Sequence, residues 1–313
     1  MRVNVLLIAG AWYVAAALLF LTLGARGDWG FILAFRGQKL LALTVVAAAV
    51  AVSTMVFQTI TANRILTPAI MGFDALYVLI QTMLVFTLGG AGAFALKGMP
   101  MFALETALMI GAAGILFGIM LRRSEDLNRM VLTGIVLGIL LRSLSGLLSR
   151  LIDPSEYAYV MASSYAQFTN VEGDLLWAAT GITITVLALV MLHARRLDVI
   201  ALGRDNAMIL GLEHRREAQR LMVLVTLLVA VSTALVGPIV FFGLLVSAIA
   251  YQVAGTWRHA TLLPLSALIG AGMLVVCQTL FERVLDLQSN VLVVVEAVGG
   301  LVFILLLIRR ART

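Results

Sequence analysis

Long apolar runs, one after another, set the limits on what this chain folds into. Stretches of 17 or more residues, such as "LLALTVVAAAVAVSTMVF" (40–57), recur along the 313 residues. Each is long enough to cross roughly 30 Å of hydrocarbon as a helix. A membrane β-barrel needs alternating segments of about 10 residues instead, and these runs do not alternate. The chain is 62% hydrophobic, an apolar share that a soluble core does not require but lipid-facing surface does. The expected fold class is an all-α, polytopic membrane protein.

The runs fall at roughly 4–23, 40–58, 69–90, 101–121, 131–149, 174–193, 221–236, 239–254, 262–281 and 291–308, which predicts about ten transmembrane helices. The first run has a basic start like a signal peptide, but it lasts about twenty residues and more spans follow, so it reads as a first transmembrane helix. Gly237-Pro238 interrupts the stretch 234–246. That break is either a kink in one helix or the boundary between two. Charge decides the parity. With about ten spans and the N-terminus inside, fifteen of the 22 Lys and Arg residues lie on the cytoplasmic side and six outside, while Arg142 falls within a span. Basic residues mark cytoplasmic segments. Merging 234–254 into one span would put Arg309, Arg310 and Arg312 outside, against that bias. The net charge of +6 therefore reports topology, and no nucleic-acid partner is expected. The whole of 1–313 reads as one membrane domain.

One segment breaks the apolar pattern. "RRLDVIALGRDNAMILGLEHRRE" (195–217) carries nine charged residues, in a chain that is 12% charged. The charge count places it in the cytoplasm, between spans six and seven. "ALGRDNAMILG" (201–211) has the pattern of a short helix between Gly203 and Gly211, with Ala207 and Leu210 expected on one face. "LEHRREAQRL" (212–221) reads as a second helix leading into span seven. Two helices bracketed by glycines suit a docking surface better than a plain loop.

Motifs for chemistry are missing. No GxxxxGK[ST] is present to hold ATP, and no HExxH, GxSxG or Cys–His arrangement occurs. "GAGAFA" (90–95) fits a loose dinucleotide pattern but follows a membrane span, where a small-residue loop is the better reading. The single cysteine, Cys277, permits no disulfide within the chain. "GILFG" (114–118) and "GIVLG" (134–138) are close-packing motifs. Packing within one subunit and packing between subunits both fit. Asp74, Arg142 and Glu296 are charges inside spans. Such charges pair structurally or line a wet route, and both readings stand for Arg142 and Glu296. Asp74 is expected near the cytoplasmic headgroups.

The segment 201–212 is similar to the cytoplasmic coupling segment of the iron-chelate and vitamin B12 class of ABC importer permeases, which reads A-L-G-x-x-x-A-x-x-L-G-V. "FRGQKLLALTVVAAAVAVSTMVFQTITANRILTPAIMGF" (35–73), "GPIVFFGLLV" (237–246), "LLPLSALIGAGMLVVCQTL" (262–280) and "VVVEAVGGLVFILLLIRR" (293–310) resemble further motifs of that family, in its order. The resemblance implies a ten-span permease-like bundle in the bacterial inner (plasma) membrane, with both termini cytoplasmic. It implies a second permease subunit, homologous or identical. Two ATPase subunits, which use ATP and Mg, would dock at about 195–220, while this chain binds no cofactor itself. A periplasmic or lipoprotein substrate-binding protein would dock outside. The coupling residues carried over are Ala201, Leu202, Gly203, Arg204, Asp205, Ala207, Leu210 and Gly211. Arg36 and Lys39 are candidates for docking the binding protein, with interfacial anchoring as the alternative. Arg142 and Glu296 are pathway candidates.

The stretch 62–82 resembles the ferric-siderophore branch, so a ferric siderophore is the expected cargo. Cobalamin or haem is the alternative within the family, and an ion-coupled secondary transporter the alternative outside it. The sequence departs from the family at Arg36-Gly-Gln-Lys39, which lacks a proline. Ser247-Ala248 stands where the family has Pro-His, Asn290 replaces a proline, and Glu296 replaces a small residue.

Overall fold

The computed structural model describes residues 2–25, 27–96, 98–123, 127–168 and 171–284. Every regular element among them is helical: α1 (Arg2–Thr22), α2 (Trp29–Ile60), α3 (Asp74–Ala95), α4 (Met99–Arg123), α5 (Leu127–Ser149), α6 (Pro154–Ser163), α7 (Gly173–Leu192), α8 (Ala194–Ile200), α9 (Arg204–Ile209), α10 (His214–Val236), α11 (Phe242–Val253) and α12 (His259–Thr279). Single π-turns precede α3 (Ala69–Phe73) and follow α12 (Leu280–Val284). Among the described residues, seven helical segments are long and apolar enough to cross a membrane, and two shorter apolar helices accompany them. The chain is a multi-pass membrane protein. The expected last span, 291–308, lies outside the described residues.

α2 is the pillar of the bundle. Its N-cap is Asp28, whose Oδ1 accepts the Gly30 N–H at 2.9 Å. Its 32 residues give about 48 Å of helix, more than a bilayer core needs. From Ala42 to Ile60 almost every side chain is buried. α12, α10, α11 and α7 pack around it. Small residues permit that closeness: Gly270 on α12 rests against the Ala47 carbonyl and Ala51, and Gly243 on α11 rests against Thr54 and Val50.

Two irregularities shape the bundle. At the entry to α3, Gly72 takes φ +103 and its backbone lies on α5. A Cβ on Gly72 would sit 3.1 Å from Gly138 Cα. "GIVLG" is thus an intramolecular packing motif: Gly134 accepts Met71 and Gly138 accepts Gly72. The second irregularity is the Gly237-Pro238 break, where α10 and α11 are separate helices. Gly237 has φ +102, and a Cβ there would lie 2.9 Å from Ala166 Cα. The Val236 carbonyl accepts the Gln167 N–H at 2.6 Å. The break is therefore sealed by the segment after α6, which satisfies backbone that lipid would leave unpaired. α11 has only 12 residues, about 18 Å. It runs beside the last turns of α2, with Ser247 on Gln58, and residues 237–240 before it form no helix. The full helix expected over 239–254 is corrected to this mixed form. α6, which the sequence reading leaves as loop, packs on α3.

Candidate functional site

The charged island forms a compact cap at one end of the bundle. α8 continues from α7 after His193, and α9 follows it through Gly203 at φ +91. α9 ends in a Schellman motif. Gly211, at φ +80, donates its N–H to the Met208 carbonyl, and Leu212 N–H donates to the Ala207 carbonyl, both at 2.9 Å. The expected helix over 201–211 is thus a six-residue helix between two left-handed glycines. Asn206 Nδ2 closes its start on the Leu202 carbonyl at 2.9 Å. Ala201, Arg204 and Asp205 are exposed. The expected shared face of Ala207 and Leu210 is not formed: Ala207 is fully buried, while Leu210 is 62% exposed. Ala207 seats the helix. What faces outward is an apolar crest of Leu202, Met208, Ile209 (82% exposed) and Leu210.

The cap is tied down by charge. Glu217, buried on α10, accepts from Arg196 at 2.5 Å and from Arg220 at 2.8 Å. Arg196 is on α8, so this pair joins α8 to α10. Asp198, also on α8, bonds His259 at the start of α12. The expected second helix at 212–221 is the beginning of α10 itself.

Arg64 lies at the same end, its guanidinium 4.6 Å from the Tyr251 ring centre and 4.5 Å from that of Trp257. Gln58 Nε2 donates to the Arg64 carbonyl at 2.7 Å and to Ser247 Oγ at 3.0 Å. Ser247, a departure from the family pattern, thus joins α11 to Gln58 on α2, which in turn holds the turn after α2.

Arg36 and Lys39 do not face outward. Arg36 is 6% exposed and donates to the carbonyls of Phe20, Leu21, Leu23 and Gly24, at 2.9–3.4 Å. It caps the C-terminus of α1, where carbonyls lack helical partners. Lys39 is 7% exposed and pairs with Glu282. Their charges are engaged inside the chain, which corrects their reading as a docking pair. The physical reason is that the end of α1 and the turn after α12 both close over this part of α2.

The intramembrane charges separate. Asp74 is buried within the bundle. It opens α3 and lines a cavity of about 20 Å³ with Ser53, Thr54, Thr67, Ser232 and Thr233, beside the break at Gly237. Arg142 is exposed on α5. Glu296 lies outside the described residues, so its relation to Arg142 does too. Glu105 on α4 is a fourth charge that sequence reasoning misses, although "LETAL" within the fourth run signals it. It is 5% exposed and accepts from Gln81 Nε2 at 2.5 Å.

Comparison with known proteins assigns the family. The model of the FecCD transport family matches residues 3–309. A petrobactin import system permease protein of Bacillus subtilis (strain 168) is 38% identical over 288 residues, 92% of this chain and 91% of that one. A petrobactin import system permease protein of Bacillus anthracis is 32% identical over 272 residues, 87% of this chain and 77% of that one. In structure, a metal-chelate type ABC transporter in an inward-facing conformation superposes with a TM-score of 0.84 at 20% identity, covering 98% of this chain and 99% of that one. With the match running through nearly all of its length, the chain belongs to the FecCD transport family.

Proposed function

We propose that this chain is the membrane permease subunit of an ATP-binding-cassette importer that carries a ferric siderophore across the bacterial inner membrane. The observation that carries the reading is the crest of α9. Four large apolar side chains, Met208 and Ile209 on α9 with Leu202 before it and Leu210 at its end, are exposed beside α8, which is tied to α10 and α12; that is the anatomy of a docking surface. Two ATPase subunits, one on each permease, receive these crests, and ATP and Mg belong to them. Kinship with two petrobactin import permeases supports the siderophore as cargo. The basic residues clustered at the island end support a cytoplasmic position for it, with both termini on that side.

α5 supports a paired permease. Its open face carries Leu132, Ile135 and Ile139, and also Arg142. A cation facing hydrocarbon is costly. A second permease subunit, homologous or identical, and a polar route between the two relieve that cost. Arg142 and Glu296 remain the pathway candidates. The substrate-binding protein docks at the opposite end, on residues other than Arg36 and Lys39.

The test is uptake of ferric petrobactin by vesicles holding the permease, its ATPase and its binding protein. Uptake is expected to need ATP and to survive a protonophore. Uptake that stops with the proton gradient and ignores ATP would establish an ion-coupled transporter instead. Ile209→Asp, on the crest, is expected to weaken ATPase association at least tenfold or so while the permease still inserts.

A further inference from the structure

The tie between α8 and α12 contains more than a helix cap requires. Asp198 Oδ1 accepts two bonds from His259, from the backbone N–H and from ring Nδ1, each at 2.7 Å. The backbone bond alone caps α12. The ring then continues: Nε2 lies 2.8 Å from Thr59 Oγ1, one turn from the Met55 carbonyl, which is 2.9 Å from the same hydroxyl. Asp198, His259 and Thr59 come from positions 61 and 200 residues apart in sequence, and His259 and Thr59 are buried. A capping role explains neither the ring bond nor the threonine.

The proton arrangement is constrained. Asp198 as carboxylate only accepts, so Nδ1 carries a proton. Nε2 then either accepts the Thr59 hydroxyl proton or, in the imidazolium form, donates to the hydroxyl, which donates on to Met55. In both forms the chain from α8 to α2 is unbroken.

Its placement gives it a use. α9 hangs from α8 through Gly203, and α8 packs on α2 and α12. Apolar packing allows a short helix to slide on its neighbours. Short, directional hydrogen bonds do not. Displacement of α9 therefore reaches α2, the pillar, and α12 along these three side chains.

We propose that Asp198, His259 and Thr59 are positioning residues that transmit movement of the α9 crest into α2 and α12, so that ATP hydrolysis is converted into transport. The proposal rests on the docking role of α9 given above. It requires a discrete coupled network rather than general stiffness.

The experiment uses the complete importer in vesicles and reads ATP hydrolysed per ferric petrobactin delivered. Thr59→Val keeps the shape and removes the hydroxyl. It is expected to leave ATPase association unchanged and to raise the ATP spent per chelate at least about fivefold. Thr59→Ser, which restores a hydroxyl, is expected to return the ratio to that of the parent. Asp198→Asn keeps an oxygen for both His259 bonds but removes the charge that strengthens them, and is expected to shift the ratio in the same direction by less. Ratios within about twofold of the parent for both Thr59→Val and Asp198→Asn overturn the proposal. Ile209→Asp separates the two levels. If that variant binds the ATPase normally, the docking reading fails. If it releases the ATPase while Thr59→Val couples like the parent, the transmission role alone fails.

Discussion

At the scale of single residues, a bonding pattern that no composition reveals decides what Arg36 does. Arg36 is a cation at the end of an apolar run, and such a residue snorkels outward as readily as it turns inward. Here it turns inward because α1 ends beside it with exposed carbonyls. Replacing Arg36 with Met keeps much of the stem and removes the donors. The carbonyls of Phe20, Leu21, Leu23 and Gly24 then lose their shared partner, at a cost of about 1–3 kcal/mol. A lower midpoint of thermal unfolding in detergent, with binding-protein affinity unchanged in the folded fraction, is the expected result. A normal midpoint with weakened binding protein would restore the docking role. The sequence shows that a cation stands at this position. Whether it meets a partner protein or its own backbone depends on where α1 ends in space, which the run lengths leave undetermined.

At the scale of elements, the two GxxxG patterns look alike in sequence and behave differently in the structure. Gly138 on α5 is buried against Gly72, while Gly114 on α4 has open space where a Cβ would go. Gly138→Leu drives a side chain into the turn that opens α3 and is expected to destabilise the permease by about 1–3 kcal/mol. Gly114→Leu is expected to change the stability of the isolated chain by no more than about 0.5 kcal/mol. Thermal unfolding of the two variants side by side checks the contrast, and equal losses would contradict it. The apolar periods locate the helices well: among the described residues, seven of the expected runs coincide with helices long enough to cross a membrane, α1, α2, α3, α5, α7, α10 and α12, and two more fall on α4 and the short α11. What the periods do not carry is irregular backbone. The π-turn at Ala69–Phe73, the left-handed Gly72 and the short α11 all occur where one element yields to another's packing. α6 is short, and its pattern of two tyrosines and a glutamate has no apolar run to announce it. In the island, the glycine spacing correctly frames α9, but the orientation of Ala207 follows from the fit of α9 against its neighbours.

At the scale of the whole molecule, α1 and α5 are the least buried of the seven long apolar helices among the described residues, each with 17% of its most apolar stretch inside the bundle. Their open faces differ in one respect. α1 shows Leu7, Ile8, Trp12, Val14, Leu18 and Leu19, all compatible with lipid. α5 shows comparable apolar residues together with Arg142. Lipid against both faces would leave a guanidinium in hydrocarbon, at about 2.5–3.5 kcal/mol near mid-membrane on insertion scales. Two permeases meeting at α5, with α1 turned to lipid, leave the cation in a polar route instead. Arg142→Leu separates these arrangements. In a lipid-facing position it removes a cost, so the variant would be more stable and transport would be unchanged. In a shared route the fold is retained and ferric-siderophore uptake falls, by at least about tenfold if the cation meets an anionic chelate at the slow step. Leu19→Ala on α1 serves as the control, with uptake expected to stay near that of the parent. Equal uptake by all three proteins would place Arg142 outside the route and leave the α5 face to lipid.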